Sequence, residues 1–259
     1  MFTPRCTSDE SVTGASKCLL VAHHGWGKTY TYRHYQRHFG PGFIISGESG
    51  LKSIQDCDID YLPFTSWDGR HDPGKGVYSF RGIIRMMHTP EFAAMGYQWV
   101  GIDSLTEMSD RLWEFLEKKH EGNKNKFDIW ADFARLLIGS LKYVRDMPTH
   151  VLVTCLAAEE MDDNGQVHYW PFVKGQKVGK QVPGLFDFVF CGIRKTEGDG
   201  ENLKVVRKVI TDEVKGWHGK ARDPKRRLKP VEDCDDITQL FTRMDRDGAA
   251  FETHPQTQS

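Results

Sequence analysis

Gly25-Trp26-Gly27-Lys28-Thr29 is the stretch of this chain best suited, by residue type and spacing, to hold phosphate. Glycines let backbone N–H groups converge where larger side chains would obstruct them. A lysine adds a mobile positive charge, and a threonine hydroxyl is a ligand for a hard cation such as Mg2+. The longer stretch Ala22-His23-His24-Gly25-Trp26-Gly27-Lys28-Thr29 follows the spacing G-x-x-x-x-G-K-[ST] except at its first position, where alanine, the smallest replacement, stands for glycine. These eight residues, with Tyr30 directly after them, form the expected nucleotide-binding segment. Lys28 would meet the β- and γ-phosphates and Thr29 would hold Mg2+. The competing reading is a glycine-rich turn with a chance Gly-Lys-Thr.

Two carboxylates stand where such a loop would need them. Gly42-Phe43-Ile44-Ile45-Ser46 reads as a buried strand and runs at once into Gly47-Glu48-Ser49-Gly50. Glu48 is thereby placed on a loop at the C-terminal end of a strand, the edge where open parallel sheets bind ligands. A second apolar strand, Tyr97 to Ile102, ends in Asp103-Ser104. Beside a phosphate loop, a strand-end aspartate reaches Mg2+, usually through water. Its other reading is a helix N-cap, which Asp103 or Ser104 could supply. Thr154 and Cys155 lie at the end of a third apolar run, Val151 to Leu156, where a polar group could sense a γ-phosphate or serve packing.

The elements that must position these residues are legible as alternating strands and helices. Cys18 to Ala22 reads as the strand feeding the loop, and Lys28 to Phe39 as the helix leaving it, stopped by Gly40-Pro41. Tyr61 to Phe64 suits a short edge strand, and Val77 to His88 a helix. Leu105, Met108, Leu112 and Phe115 keep helical spacing, as do Trp130, Phe133, Leu137, Leu141 and Val144. Beyond Leu156 the pattern turns β-like: a hairpin at Asp162-Asp163-Asn164-Gly165, then strands over Phe186 to Ile193 and Leu203 to Ile210. The expected class is α/β, a mostly parallel central sheet flanked by helices with a C-terminal β-hairpin extension. Residues 1–17 read as a polar segment, 18–245 as one domain, and 246–259 as a polar tail that frays.

Composition narrows the function. The chain has 259 residues, 39% of them hydrophobic, and a formal net charge of -1. With a pI near 6.8 it is not a protein that coats nucleic acid by bulk charge. No stretch is long and apolar enough for a membrane span. Six scattered cysteines, without a C-x-x-C pair, suit free buried thiols in a reduced, cytoplasmic setting and no structural zinc. His34 and His38, four apart on the expected helix, read as a solvated face rather than a metal pair. Charge does concentrate between Lys215 and Lys229, which hold seven basic residues, among them Lys220 and Arg222, against Asp223.

Taken in order, Ala22 to Thr29, Glu48 and Asp103 resemble the RecA-like P-loop ATPases. Within them the chain looks most like the compact phage-encoded family linked to single-strand annealing and recombination. The resemblance is one of motif order and spans about Cys18 to Lys229. It implies that Glu48 polarises the attacking water and that ATP and Mg2+ are the cofactors. It also implies a homo-oligomer, ring or short filament, in which basic residues of one subunit reach the γ-phosphate of the next. Lys220-Ala221-Arg222 has the spacing of such a pair, and a solvated basic loop is the other reading.

The resemblance further implies a mobile DNA-contacting loop between the fourth and fifth core strands. Tyr169, Trp170 and Phe172 occur there, interleaved with Lys174, Lys177 and Lys180. They could stack on unpaired bases or pack on the domain. The leading expectation is an Mg-ATP-dependent ATPase acting on single-stranded DNA, with other recombination or single-strand-binding proteins as further partners. A second is an annealing or assembly protein that ATP merely switches. A third, a small-molecule kinase, would need an arginine-rich lid and an acceptor pocket, for which the sequence offers no candidate.

Overall fold

Side chains that alternate between two apolar faces dictate the architecture. In the computed structural model, which describes residues 14–48 and 50–245, the strands are β1 (Lys17–Ala22), β2 (Gly42–Ser46), β3 (Asp60–Pro63), β4 (Trp99–Asp103), β5 (His150–Met161), β6 (Val167–Pro171), β7 (Phe188–Glu197), β8 (Lys204–Ile210), β9 (Glu213–Val214), β10 (Trp217–His218), β11 (Lys220–Ala221) and β12 (Val231–Asp233). The helices are α1 (Thr31–Phe39), α2 (Phe80–Met86), α3 (Pro90–Ala94), α4 (Leu105–Lys119), α5 (Lys126–Arg145), α6 (Gln176–Gln181) and α7 (Thr238–Asp245).

The main sheet runs β12-β8-β7-β1-β5-β4-β2-β3. Every pairing from β7 through β3 is parallel, whereas β7–β8 and β8–β12 are antiparallel. The strand that feeds the loop and the strand that ends in Asp103 are therefore not neighbours; β5 lies between them. Both sheet faces are covered, which is why the central strands read as continuous apolar runs. Leu19, Val21, Ile45, Val100, Ile102 and Val153 face α2, α4 and α5, while Cys18, Leu20, Ile44, Leu152 and Phe190 face α1 and α7.

Several expectations shift by a few residues, for local reasons. The helix after the loop starts at Thr31 rather than Lys28, because residues 28–30 form turns. The helix expected over Val77 to His88 is α2 alone: Val77 pairs with Asp72 in an isolated bridge, and the Ser79 hydroxyl caps the helix by accepting from the Gly82 N–H at 3.2 Å. Lys17 belongs to β1, so the expected N-terminal segment enters the sheet one residue early. The remainder of that segment up to residue 13, and the expected tail over 246–259, lie outside the described residues.

β5 is long enough to belong to two sheets. Its second half turns at Asp162 into β6, with Asp162 Oδ1 accepting from the Asn164 and Gln166 N–H groups and Gly165 at φ 77°. β6 then pairs with β10, and β10 with β9, making a small sheet beside the loop edge. Cys18, Cys155, Cys191 and Cys234 are buried free thiols. Among the described residues no helix is long and apolar enough to cross a membrane.

Candidate nucleotide-binding site

The segment over 22–30 sits at the C-terminal edge of β1. Ala22 is still a strand residue, in register with Leu156 on one side and Gly192 on the other, and fully buried. That is where a glycine can be replaced by a methyl group without blocking the loop. Gly25 and Gly27 take φ of 73° and 110°, backbone that other residues rarely adopt. The Trp26 indole is not free for a ligand: it is buried against Gly192 and donates from Nε1 to the Ile193 carbonyl at 3.1 Å. His24 is exposed, and His23 stands edge-on to Tyr169 and Trp217, 3.8 Å from Glu159. Tyr30 is exposed beside the start of α1, with the Arg33 guanidinium over its ring.

Lys28 and Thr29 on the loop, Glu48 just after β2 and Asp103 at the end of β4 come together from three places in the fold. Lys28 is buried, and its ammonium donates to the carbonyls of Ala22 at 3.2 Å and His23 at 3.3 Å. Burial lowers its pKa, opposed by the charges of Glu48 and Asp103. Among the described residues it has no salt-bridge partner, so a buried cation faces the loop without a bonded anion, an arrangement that a phosphate would relieve.

Asp103 is fully buried between two threonines: Thr29 Oγ1 donates to Oδ2 at 2.9 Å and Thr154 Oγ1 to Oδ1 at 2.6 Å. Burial raises its pKa against those hydrogen bonds, with Glu48 adding to the rise. Because Thr29 gives its proton to Asp103, the lone pairs of its oxygen stay available to a cation. The oxygens of Thr29 and Asp103 suit Mg2+, whose remaining positions are ordinarily filled by water and phosphate. Among the described residues no group of three or more His, Cys, Asp or Glu could hold a metal.

Glu48 is held from two sides. Its N–H and that of Gly47 donate to the Asp103 carbonyl, at 3.3 and 2.6 Å, and the Ser104 hydroxyl donates to Glu48 Oε1. Ser104 also caps α4, accepting from the Glu107 N–H at 3.4 Å, which decides the capping question in its favour and leaves Asp103 to the threonines.

The remaining expected residues lie elsewhere in the fold. Lys220 and Arg222 lie away from the loop of their own chain. β11 pairs Lys220 with Val189, whose partner on β1 is Leu19, three residues and about 10 Å before the strand's end at Ala22. Lys220 donates to the Phe186 carbonyl at 2.7 Å, and Arg222 pairs with Asp187 at 3.0 Å. The aromatic stretch expected as a mobile loop is strand β6 followed by α6. Tyr169 stacks on Trp217 at 4.1 Å between centroids and Trp170 on His218 at 3.6 Å, while Lys174 and Lys180 pair with Asp110 and Glu160. Phe172 remains half exposed. His34, expected on a solvated face, is only partly exposed and faces Asp236 at 3.3 Å.

The β7–β8 hairpin contributes residues that sequence reasoning missed. Arg207 Nε donates to the Trp26 carbonyl at 2.6 Å, and Arg194 Nη1 to the Gly25 carbonyl at 3.4 Å. Only the paired positive charges of Arg194-Lys195 and Arg207-Lys208 hint at this in the sequence.

A glycine-bearing loop between strand and helix, a lysine awaiting an anion, a threonine–aspartate pair and a strand-end glutamate, on a parallel sheet with one strand inserted between loop and aspartate, define a P-loop ATPase of the RecA-like kind. The chain matches the AAA_24 family, described as an AAA domain, over residues 15–222, and it belongs to that family. No curated protein matches it. Solved structures similar to it include a KaiC-like protein from the hyperthermophilic archaeon Pyrococcus horikoshii OT3, 15% identical, covering 80% of this chain and 83% of that one with a TM-score of 0.40. Another is the flagellar accessory protein FlaH from Methanocaldococcus jannaschii, 11% identical over 77% and 81%, with a TM-score of 0.35.

Proposed function

We propose that this protein is an Mg-ATP-dependent ATPase that works on single-stranded DNA, in recombination or annealing of the phage type, as an assembly of several copies. The observation that carries the ATPase part is the pairing of a buried Lys28 that has no salt-bridge partner among the described residues with a Glu48 carboxylate oriented by Ser104. Lys28 and the loop N–H groups would bind the phosphates, and Glu48 would align water on the γ-phosphate. Thr29 and Asp103 would hold Mg2+, which when bound neutralises charge on the phosphate oxygens. Lys220 and Arg222 of a neighbouring copy would stabilise the charge that develops as the bond to the leaving group breaks.

DNA coupling is supported by the motif order and by the basic run from Lys215 to Lys229. Since Tyr169 and Trp170 already stack within the chain, Phe172 is the aromatic in that region with a face to offer an unpaired base. Phosphate release by the wild type, Lys28→Ala and Glu48→Gln, each titrated with single-stranded and duplex DNA, tests the reading. Release that depends on both residues and rises with single strands is expected. Release that DNA leaves untouched and that persists in Glu48→Gln would instead favour a protein for which ATP is only an assembly switch.

A further inference from the structure

Register on the β7–β8 hairpin sets Arg194 directly opposite Arg207. Like charges facing one another across a ladder repel, so such a pair needs compensation. Lys208, one position further along β8, is compensated by Glu197 at 3.3 Å and Asp233 at 2.6 Å. Among the described residues neither Arg194 nor Arg207 has a carboxylate within salt-bridge distance. Their described hydrogen bonds go to the carbonyls of Gly25 and Trp26. Arg194 lies so close to the loop that a side chain at Gly25 would start 3.1 Å from its Nη1. Beside the pair is an open pocket of about 390 Å3, lined by His23, Trp26, Gly192, Arg194, Thr196 and Val205.

A loop that aims its N–H groups at a polyanion must turn carbonyls away from it, and a donor on those carbonyls fixes that orientation. Two guanidinium groups do more than neutral donors would, because their charge adds to the field at the phosphates and is itself relieved when a polyanion binds. We propose that Arg194 and Arg207 are positioning residues for the polyphosphate. They hold the Gly25 and Trp26 carbonyls outward, and they leave an uncompensated double positive charge that a bound nucleoside triphosphate neutralises. The proposal rests on the nucleotide-binding reading above and extends it to the hairpin.

The test is the affinity for ATP and for ADP, measured by calorimetry over a series of salt concentrations, of wild type, Arg194→Gln/Arg207→Gln and Arg194→Lys/Arg207→Lys, with melting temperatures alongside. The glutamine pair should weaken ATP binding by about tenfold or more, weaken ADP less, and flatten the salt dependence; the lysine pair should restore the salt dependence. Unchanged affinity and salt dependence in the glutamine pair, with a wild type that binds ATP, would overturn the proposal while sparing the nucleotide site. So would an equal loss for ATP and ADP accompanied by a lower melting temperature, the mark of hairpin packing alone. A wild type that binds neither nucleotide, and matches Lys28→Ala, would overturn both readings at once.

Discussion

At the scale of single residues, the site is organised by hydroxyl groups as much as by charge. Asp103 is kept in place by Thr29 and Thr154, and Glu48 by Ser104. Ser104→Ala should lower kcat for ATP hydrolysis by about tenfold or more while leaving the nucleotide Kd unchanged, since it frees the carboxylate that aligns water. The same change removes the cap of α4 and should cost about 1 kcal/mol in denaturant melts. A fall in affinity as large as the fall in kcat would count against the alignment role. Thr154→Val keeps the shape but strips one donor from a fully buried carboxylate, and should destabilise by about 1–3 kcal/mol. Lys28→Ala should abolish ATP binding with the fold intact, read by calorimetry together with circular dichroism.

At the scale of elements, the loop is shaped by what lies beneath it. Trp26 fills the space over Gly192, where an added methyl group would start 2.5 Å from the indole. Gly192→Ala should destabilise by about 1–3 kcal/mol and weaken ATP binding as the loop is lifted; a stable variant with wild-type affinity would show that the loop does not depend on this seat. At the other end of the sheet, His150 opens β5, accepting through Nδ1 from the Ser16 N–H at 3.1 Å and stacking on Phe39. Burial, with help from Lys17 and His38, lowers its pKa from 6.5 to about 4. The folded protein therefore binds this proton less readily than the unfolded chain. The stability it contributes is present above pH 6.5 and is lost as pH falls towards about 4. Denaturant melts across that window should show a smaller loss in His150→Gln than in the wild type.

The elements carrying Lys28, Glu48 and Asp103 were legible because each is an apolar run ending in a polar residue, a local signal. The Arg194–Arg207 pair was not, since its meaning depends on hairpin register and on a loop 181 residues earlier in the chain. The partners of Tyr169 and Trp170 were hidden for the same reason: the aromatics are plain in the sequence, but Trp217 and His218 meet them only through pairing of β6 with β10.

At the scale of the whole molecule, the phosphate loop lies at the C-terminal ends of the parallel strands and the Lys220–Arg222 pair nearer their N-terminal ends. If the pair serves a neighbour's nucleotide, Lys28→Ala and Arg222→Ala should each be inactive alone yet recover activity when mixed, because an intact loop from one then meets an intact arginine from the other. A mixture no more active than its components would place the complete site within a single copy. Giving from one end of the strands and receiving at the other also makes the contact directional, so copies would join head to tail rather than face to face. Such a row has ends, and an open row always holds one complete site fewer than it has members, whereas a closed circle wastes none. Turnover per copy would then report whether the assembly has closed, rising with length in a row and levelling off once a circle forms.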